Sequence, residues 1–311
     1  MTSRDDVGAD LVVLECERRG IALYRFNGED FPILTGAHVD PAHGIVQLIE
    51  RAGDSIEISQ AHGIWIRRPQ WPSHSGLVDE GDRVLALQES VATLAGAWRI
   101  LADKCVSSAD ALQAARWKLP QLRLASQVGF TVPETIVTTD PERARQFLES
   151  GPSVIKPVAE ARVRVGNVDR IGSVQAVNPA EPLSDVALVP TMFQRLVPKV
   201  ADLRVTVVGS TPFAVLITTP AGAPIDFRDT DPDGCTYQPF KLAEADLLRA
   251  IKFMDHYGLR FGAFDFGVTS KGELVFFECN PSGQWGWIEA RTEMPITAAL
   301  VTLLLNPPTR E

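Results

Sequence analysis

FGAFDFGVTSKGELVFFECN, residues 261–280, reads as two short strands joined by a turn at Ser270 to Gly272. Residues two apart on a strand project from one face, so Glu278 and Asn280 share a face, and the turn brings Asp265 back towards them. Three oxygen-bearing side chains gathered at one point suit a hard cation such as magnesium, which takes carboxylates, nucleotide phosphates and water. Leu274, Val275, Phe276 and Phe277 put Glu278 at the end of a buried strand. An unpaired carboxylate is costly there, and a cation offsets that cost. On this pattern alone a solvated hairpin edge stays open.

The segments upstream read as an α/β protein. From about residue 188 strands dominate (ALVPTMFQRLV, LRVTVVG, TPFAVLITT), followed by a helix over 241–257. GPSVIKPV is a buried strand carrying Lys156, TVPETIVTT another strand, and DPERARQFLES a helix with Asp140 as N-cap and Pro141 in its first position. KLPQLRLASQVGF, 118–130, is a helix with Pro120 in its first turn and Gly129 at its end. From Glu80 to Leu101, Val84, Leu87, Val91, Leu94 and Trp98 recur at helical spacing, predicting one long helix with Trp98 in the core.

Residues 9–26 read as an amphipathic helix closed by Gly20 and then the strand IALYRF, half of a βαβ unit. GIVQLIE and SIEISQ alternate as strands, and HGIWIRRP is a short apolar strand ending in Arg67 and Arg68. An open sheet with helices fits this region. Between 160 and 176, Arg162, Arg164 and Arg170 surround Gly166, which predicts either a mobile basic loop or a solvated hairpin.

Composition narrows the function. A chain of 311 residues exceeds one compact core and predicts two or three subdomains. The formal charge of -9 argues against a nucleic-acid binder, which needs a basic surface. Cys16, Cys105, Cys235 and Cys279 are far apart and form no CxxC pair, so reduced, mostly buried thiols are expected. The histidines lack HExxH spacing, and no GxSxG elbow is present. The start MTSRDDVGAD is no signal peptide, and no apolar run is long enough for a bilayer, so a cytoplasmic chain without membrane contact is expected.

With these residues in view, the chain resembles the ATP-grasp superfamily, and within it the maturases of ribosomally made peptides, the graspetide or microviridin-type ligases. The resemblance runs through DFP at 30–32, WIRRP at 65–69, KLPQLRLASQVGF, VPETIVTTDPE, VIKPV, FQRLVPKVADLRVTVVG, FGAFDFGV and FFECNPSGQWGWIE, of which the last is the most specific. It implies an ATP-grasp fold of two α+β subdomains clasping ATP, at 106–190 and 191–311, after a small open α/β pre-ATP-grasp domain at 1–105. A family member would have an apolar strand before DDVGAD, so this chain either starts too far downstream or has an N-terminal sheet one strand short.

The resemblance also implies roles. Lys118 and Lys156 resemble the lysines that hold the ATP phosphates, and Gln194, Arg195, Leu196 and Val197 the hinge whose backbone and first side chain read adenine. Asp202 is similar to the acid that binds the ribose hydroxyls, or else caps a turn. Arg204 and Arg228 resemble the basic residues that steady the γ-phosphate and the acyl phosphate, as guanidinium forks can. Asp265, Glu278 and Asn280 match the metal ligands, which implies two magnesium ions bridging the β- and γ-phosphates. Ala263 departs from the arginine that D-alanine:D-alanine ligases carry there, and Arg204 or Arg228 would substitute.

The implied reaction is ADP-forming. A peptide Asp or Glu becomes an acyl phosphate, which a Thr or Ser hydroxyl or a Lys amine of the same peptide attacks to give an ester or amide crosslink. The implied partner is a precursor peptide with a leader and an acidic core, and a homodimer is left open. Arg67, Arg68 and the arginines of 162–170 are candidates to meet that acidic core. Trp285 and Trp287 either wall the acceptor pocket or pack the core. Two rival readings are a ligase that tails an amino acid onto a separate acceptor and a catalytically silent ATP-grasp peptide-binding module.

Overall fold

The computed structural model describes residues 1–72, 74, 76–159, 162–165, 168–171, 174–178 and 180–306, with 162–165 and 168–171 as backbone strands. The side chains of Arg162, Arg164 and Arg170, and Gly166, lie outside the described residues.

The first part of the chain comprises α1 (Val7–Arg18), β1 (Thr35–Asp40), β2 (Ile45–Glu50), β3 (Ser55–Glu57) and α2 (Glu80–Ile100). The strands form the antiparallel sheet β1-β2-β3, whose inner face (Val46, Leu48) packs on Leu94, Ala97 and Trp98 of α2. The sequence reading missed β1, because TGAHVD carries only two apolar side chains, Ala37 and Val39, beside a glycine of low strand propensity. It also gave α2 a longer buried stripe than it has. Val84 and Leu87 are exposed, and only the C-terminal half of the helix meets the core.

Neither IALYRF nor HGIWIRRP forms a ladder, which corrects two expected strands. Each is extended, but a strand needs a hydrogen-bonding neighbour. Between them lie Met1 and Thr2: Thr2 N donates to Phe26 O, Gly28 N to Thr2 O and Arg67 N to Met1 O. Thr2 and Asn27 make one parallel bridge across α1, a βαβ crossover reduced to a single pair.

The middle of the chain contains α3 (Ala109–Ala115), α4 (Lys118–Gln127), β4 (Thr135–Thr138), α5 (Pro141–Glu149), β5 (Ser153–Lys156), the hairpin β6 (Arg162–Val165) and β7 (Val168–Ile171), β8 (Gln175–Ala176) and β9 (Thr191–Arg195). These give a four-stranded antiparallel sheet, β4-β9-β5-β8, backed by Ala144, Phe147 and Leu148 of α5. Asp140 caps α5 as expected, accepting from Glu142 N and Arg143 N, with Pro141 at the first position.

The last part has β10 (Lys199–Val208), β11 (Thr211–Thr218), β12 (Thr236–Pro239), α6 (Glu244–Tyr257), β13 (Phe261–Thr269), β14 (Leu274–Asn280), α7 (Gly286–Thr292) and α8 (Ile296–Leu305). Its antiparallel sheet runs β12-β11-β10-β13-β14. Alternation sorts its faces. Leu203, Val205, Val207, Phe264, Phe266 and Phe276 point to α6 and α4, where Phe253 meets Phe264 and Phe276 with ring centroids 5.5 Å apart in each pair. Asp202, Arg204, Ala263 and Asp265 alternate with these and take the opposite face.

Strict alternation on β14 would put Glu278 on the same side as Phe276. The register shifts between Asp265 and Phe266, pairing Asp265 with Glu278 but Phe266 with Phe276, so Phe277 is an extra residue. This bulge reverses the parity: Phe276 and Cys279 enter the core, while Glu278 comes opposite Asp265. Deleting Phe277 should therefore remove the bulge without turning Glu278: Phe276 stays in the core and Glu278, now its neighbour, stays across from Asp265. The deletion, like Phe277→Ala, should then cost under about 3 kcal/mol. Urea denaturation of the two variants checks this, and a loss of about 3–5 kcal/mol or more on deletion, the cost of a carboxylate turned unpaired into the core, would show that Phe277 is not the bulged residue.

Candidate functional site

The two larger sheets enclose a cleft of ≈ 590 Å³ lined by Lys156 and Gln194 to Val197 on one side and by Lys199, Asp202, Asp226, Arg228, Asp265 and Glu278 on the other. Nine of the twelve candidate nucleotide, metal and catalytic residues line it; of the other three, Lys118 pairs with Glu278, Arg204 pairs with Asp265, and Asn280 lies two positions along β14 from Glu278, in register with Ala263.

At its centre is a cross-strand row. Arg204 pairs in register with Asp265, and Asp265 with Glu278. Nη1 of Arg204 donates to both Asp265 oxygens at 2.8 Å, and Nη2 donates to Gln284 O at 3.2 Å. Its buried Nε has no hydrogen-bond partner among the described residues. Glu278 faces three cations: Lys118 Nζ at 3.3 Å, Arg228 Nη1 at 3.9 Å, and the Lys156 ammonium. Burial pushes the Glu278 carboxyl up, but these charges outweigh it and hold the group below its ordinary value. Burial conversely lowers the Lys156 ammonium, against the pull of Glu278. Lys156 also donates to Gln194 Oε1 at 3.3 Å and sits 4.9 Å from the Phe277 ring.

Sequence reading missed Lys199, Asp226 and the Phe277 ring. Lys199 pairs with Asp202 across one strand turn, and burial raises the Asp202 pKa against that pairing. Asp226 accepts from Arg228 N, Nε and Nη2 at 3.1, 2.9 and 2.6 Å, a bidentate clamp that raises the Arg228 pKa. The spacings K-x-x-D at 199–202 and D-x-R at 226–228 were visible but too short to be distinctive.

Other expectations are placed differently. The Gln194 side chain is buried, donating to Thr135 Oγ1 at 2.9 Å. The Arg195 side chain turns out of the cleft to Phe147 O, Gly151 O, Ser153 Oγ and Glu134, leaving only its stem and backbone at the wall. Arg67 is corrected outright. It is 1% exposed and paired with Asp6, so it is no surface ligand for an acidic peptide. Arg68, though exposed, donates to Ser282 O. Trp285 is core, its Nε1 bonded to Thr297 Oγ1, and Trp287 packs between Phe227 and Tyr237.

A magnesium ion fits the donor set: the Asp265 and Glu278 carboxylates and the Asn280 amide are all oxygen ligands beside a cluster of cations suited to phosphates. Among the described residues no three His, Cys, Asp or Glu side chains form a metal-holding group, so phosphate and water would complete the shell. The Asn280 oxygen meanwhile accepts from Ser282 N at 2.9 Å.

Comparison with known proteins places this arrangement. A family model described as the MvdD pre-ATP grasp domain matches residues 1–115. The crystal structure of macrocyclase MdnB from Microcystis aeruginosa is 30% identical with a TM-score of 0.80, covering 98% of this chain and 97% of that one. The chain belongs to the ribosomal-peptide ATP-grasp ligases. Macrocyclase MdnC of the same organism, bound with its precursor peptide MdnA, is 25% identical over 99% of this chain and 98% of that one, with a TM-score of 0.86. An ATP-grasp ligase associated with ribosomal peptides in Chryseobacterium gregarium, in complex with ADP and a leader and core peptide, is 25% identical over 99% and 96%, with a TM-score of 0.89. No curated protein sequence matches the chain. Among the described residues no helix of this ligase is long and apolar enough to cross a membrane.

The Asp202 carboxyl gives a stability test. Its folded pKa lies above the unfolded value, so the folded state takes up a proton as pH falls through the folded value and gains stability there; at neutral pH the ionised form is a net cost. Asp202→Asn should then be more stable than wild type at pH 7, by on the order of 1 kcal/mol. The gap should close as pH falls below the ordinary carboxylate value of 3.8. Melting curves across pH measure it, and a variant less stable at pH 7 would contradict the assignment.

Proposed function

We propose that this ligase uses magnesium and ATP to activate a side-chain carboxylate of a ribosomally made precursor peptide and closes an ester or amide crosslink within it. The observation that carries the reading is the row of Arg204, Asp265 and Glu278, with Lys118, Lys156 and Arg228 gathered around Glu278, at the cleft between the two larger sheets. The ADP held by the C. gregarium relative and the precursor peptides of both complexes support it.

In this reading the two subdomains clasp the nucleotide behind a pre-ATP-grasp domain. Gln194 to Val197 meet the adenine, Asp202 the ribose hydroxyls, and Lys118 and Lys156 the phosphates. Asp265, Glu278 and Asn280 would hold magnesium, as two ions. When bound, magnesium neutralises charge on the β- and γ-phosphate oxygens.

Arg204 and Arg228 orient the γ-phosphate and draw a peptide Asp or Glu carboxylate towards it. A carboxylate oxygen attacks the γ-phosphorus, and the bond to ADP breaks. A hydroxyl or amine of the same peptide attacks the resulting acyl phosphate, inorganic phosphate leaves, and the nucleophile's proton passes to phosphate or water. Each closure removes one water from the peptide. The acidic core requires local positive charge, which Arg228 supplies at the cleft mouth, its side chain 60% exposed.

The test is co-expression with the precursor peptide followed by mass spectrometry. Loss of one water per ring is expected; gain of a residue's mass would indicate tailing, and an unchanged mass with no ATP turnover would favour the silent binding module. Asp265→Asn and Arg204→Met should each lower the rate by about 10²–10³-fold, measured as ADP release with the peptide present. Wild-type rates in either variant would remove the row from the chemistry.

A further inference from the structure

Nothing in that mechanism uses Arg67, yet it is among the most constrained side chains in the molecule. It is 1% exposed, with its guanidinium 4.5 Å from the Trp285 ring centroid and 5.3 Å from that of Trp65. Nε donates to Asp6, the N-cap of α1, at 3.0 Å. The other nitrogens reach over to the loop that follows β14: Nη1 donates to Gly283 O at 3.1 Å, and Nη2 to Gln284 Oε1 at 2.6 Å.

The far side of the same loop touches Arg204. Gln284 O accepts from Arg204 Nη2 at 3.2 Å. A Cβ built on Gly283 would lie 2.8 Å from that nitrogen and 2.4 Å from the Ala263 Cβ, so the loop backbone is in direct contact with the guanidinium. Apart from Asp265, which would also serve a metal, that carbonyl is the only described hydrogen-bond acceptor for Arg204.

We infer that Arg67 is a positioning residue for Arg204: through residues 282–284, the N-terminal domain fixes the guanidinium that reads the γ-phosphate. The inference rests on the ATP reading above. Only a fork of donors spans Asp6 and the loop together; a lysine, a single point charge, cannot.

Affinities of Mg-ADP and Mg-AMPPNP, measured by calorimetry on the purified full chain, test it without any peptide. Wild type should bind the triphosphate analogue more tightly, and Arg204→Lys should lose that preference. Arg67→Lys should lose about tenfold of it, about 1.4 kcal/mol, with Mg-ADP affinity unchanged, and the double variant should lose no more than Arg204→Lys alone. If Arg67→Lys fails to fold, Gln284→Ala carries the test, because it cuts the Nη2 link and leaves the Asp6 pair intact. An unchanged preference in these variants, an equal loss for both nucleotides, or a wild type without preference overturns the inference. A wild type that binds neither nucleotide instead sinks the ATP reading.

Discussion

The site depends on the bulge by which β14 absorbs Phe277. Phe277 interrupts the alternation of that strand, so a carboxylate that would have entered an aromatic core instead stands across from Asp265. Once there, Glu278 is tolerable only because cations surround it, and Lys156 is tolerable as a buried ammonium partly because Glu278 is near. Each charge in the cleft is therefore a condition for its neighbours. The pairs Asp202 with Lys199 and Asp226 with Arg228 extend that logic to the rim.

Such mutual neutralisation has a kinetic meaning. Arg204 and Arg228 are each already engaged by a carboxylate, so in the function proposed above an incoming polyphosphate would exchange one set of partners for another rather than desolvate bare charges. The cost of reorganisation is spread over several weak exchanges. The orphaned Nε of Arg204 is the exception, a donor with nothing to give up.

Much of this was legible in the residues. The hairpin of 261–280, the capped helix at Asp140 and Pro141, and the strand carrying Lys156 follow from local rules of alternation and capping, and the structure has each. The apolar run before Glu278 pointed to a need for countercharge, though not to which lysines would meet it. What escaped depends on distant partners. IALYRF has every local property of a strand yet lacks a ladder, since only two residues lie beside it. Arg67 looked like surface charge because nothing in WIRRP shows that Asp6 and the 282–284 loop close over it. The bulge was invisible because the right facing of Glu278 could be reached in one dimension without knowing where Phe276 went.

The tethering of Arg195 bears on how the clasp moves. Its guanidinium ties the end of β9 to the carbonyls of Phe147 and Gly151, and Leu196 N is bonded to Pro152 O, so β9 is fastened to its own subdomain up to residue 196. β10 begins at Lys199. The chain crosses between the sheets at residues 197 and 198 and again at 132–134, between Thr131, bridged to Val275, and β4. Any rotation of one sheet against the other thus falls on these two crossings, and Pro198 has little backbone freedom to offer. A group lodged at that fulcrum would scarcely shift as the jaws swing, while one at their tips would travel furthest.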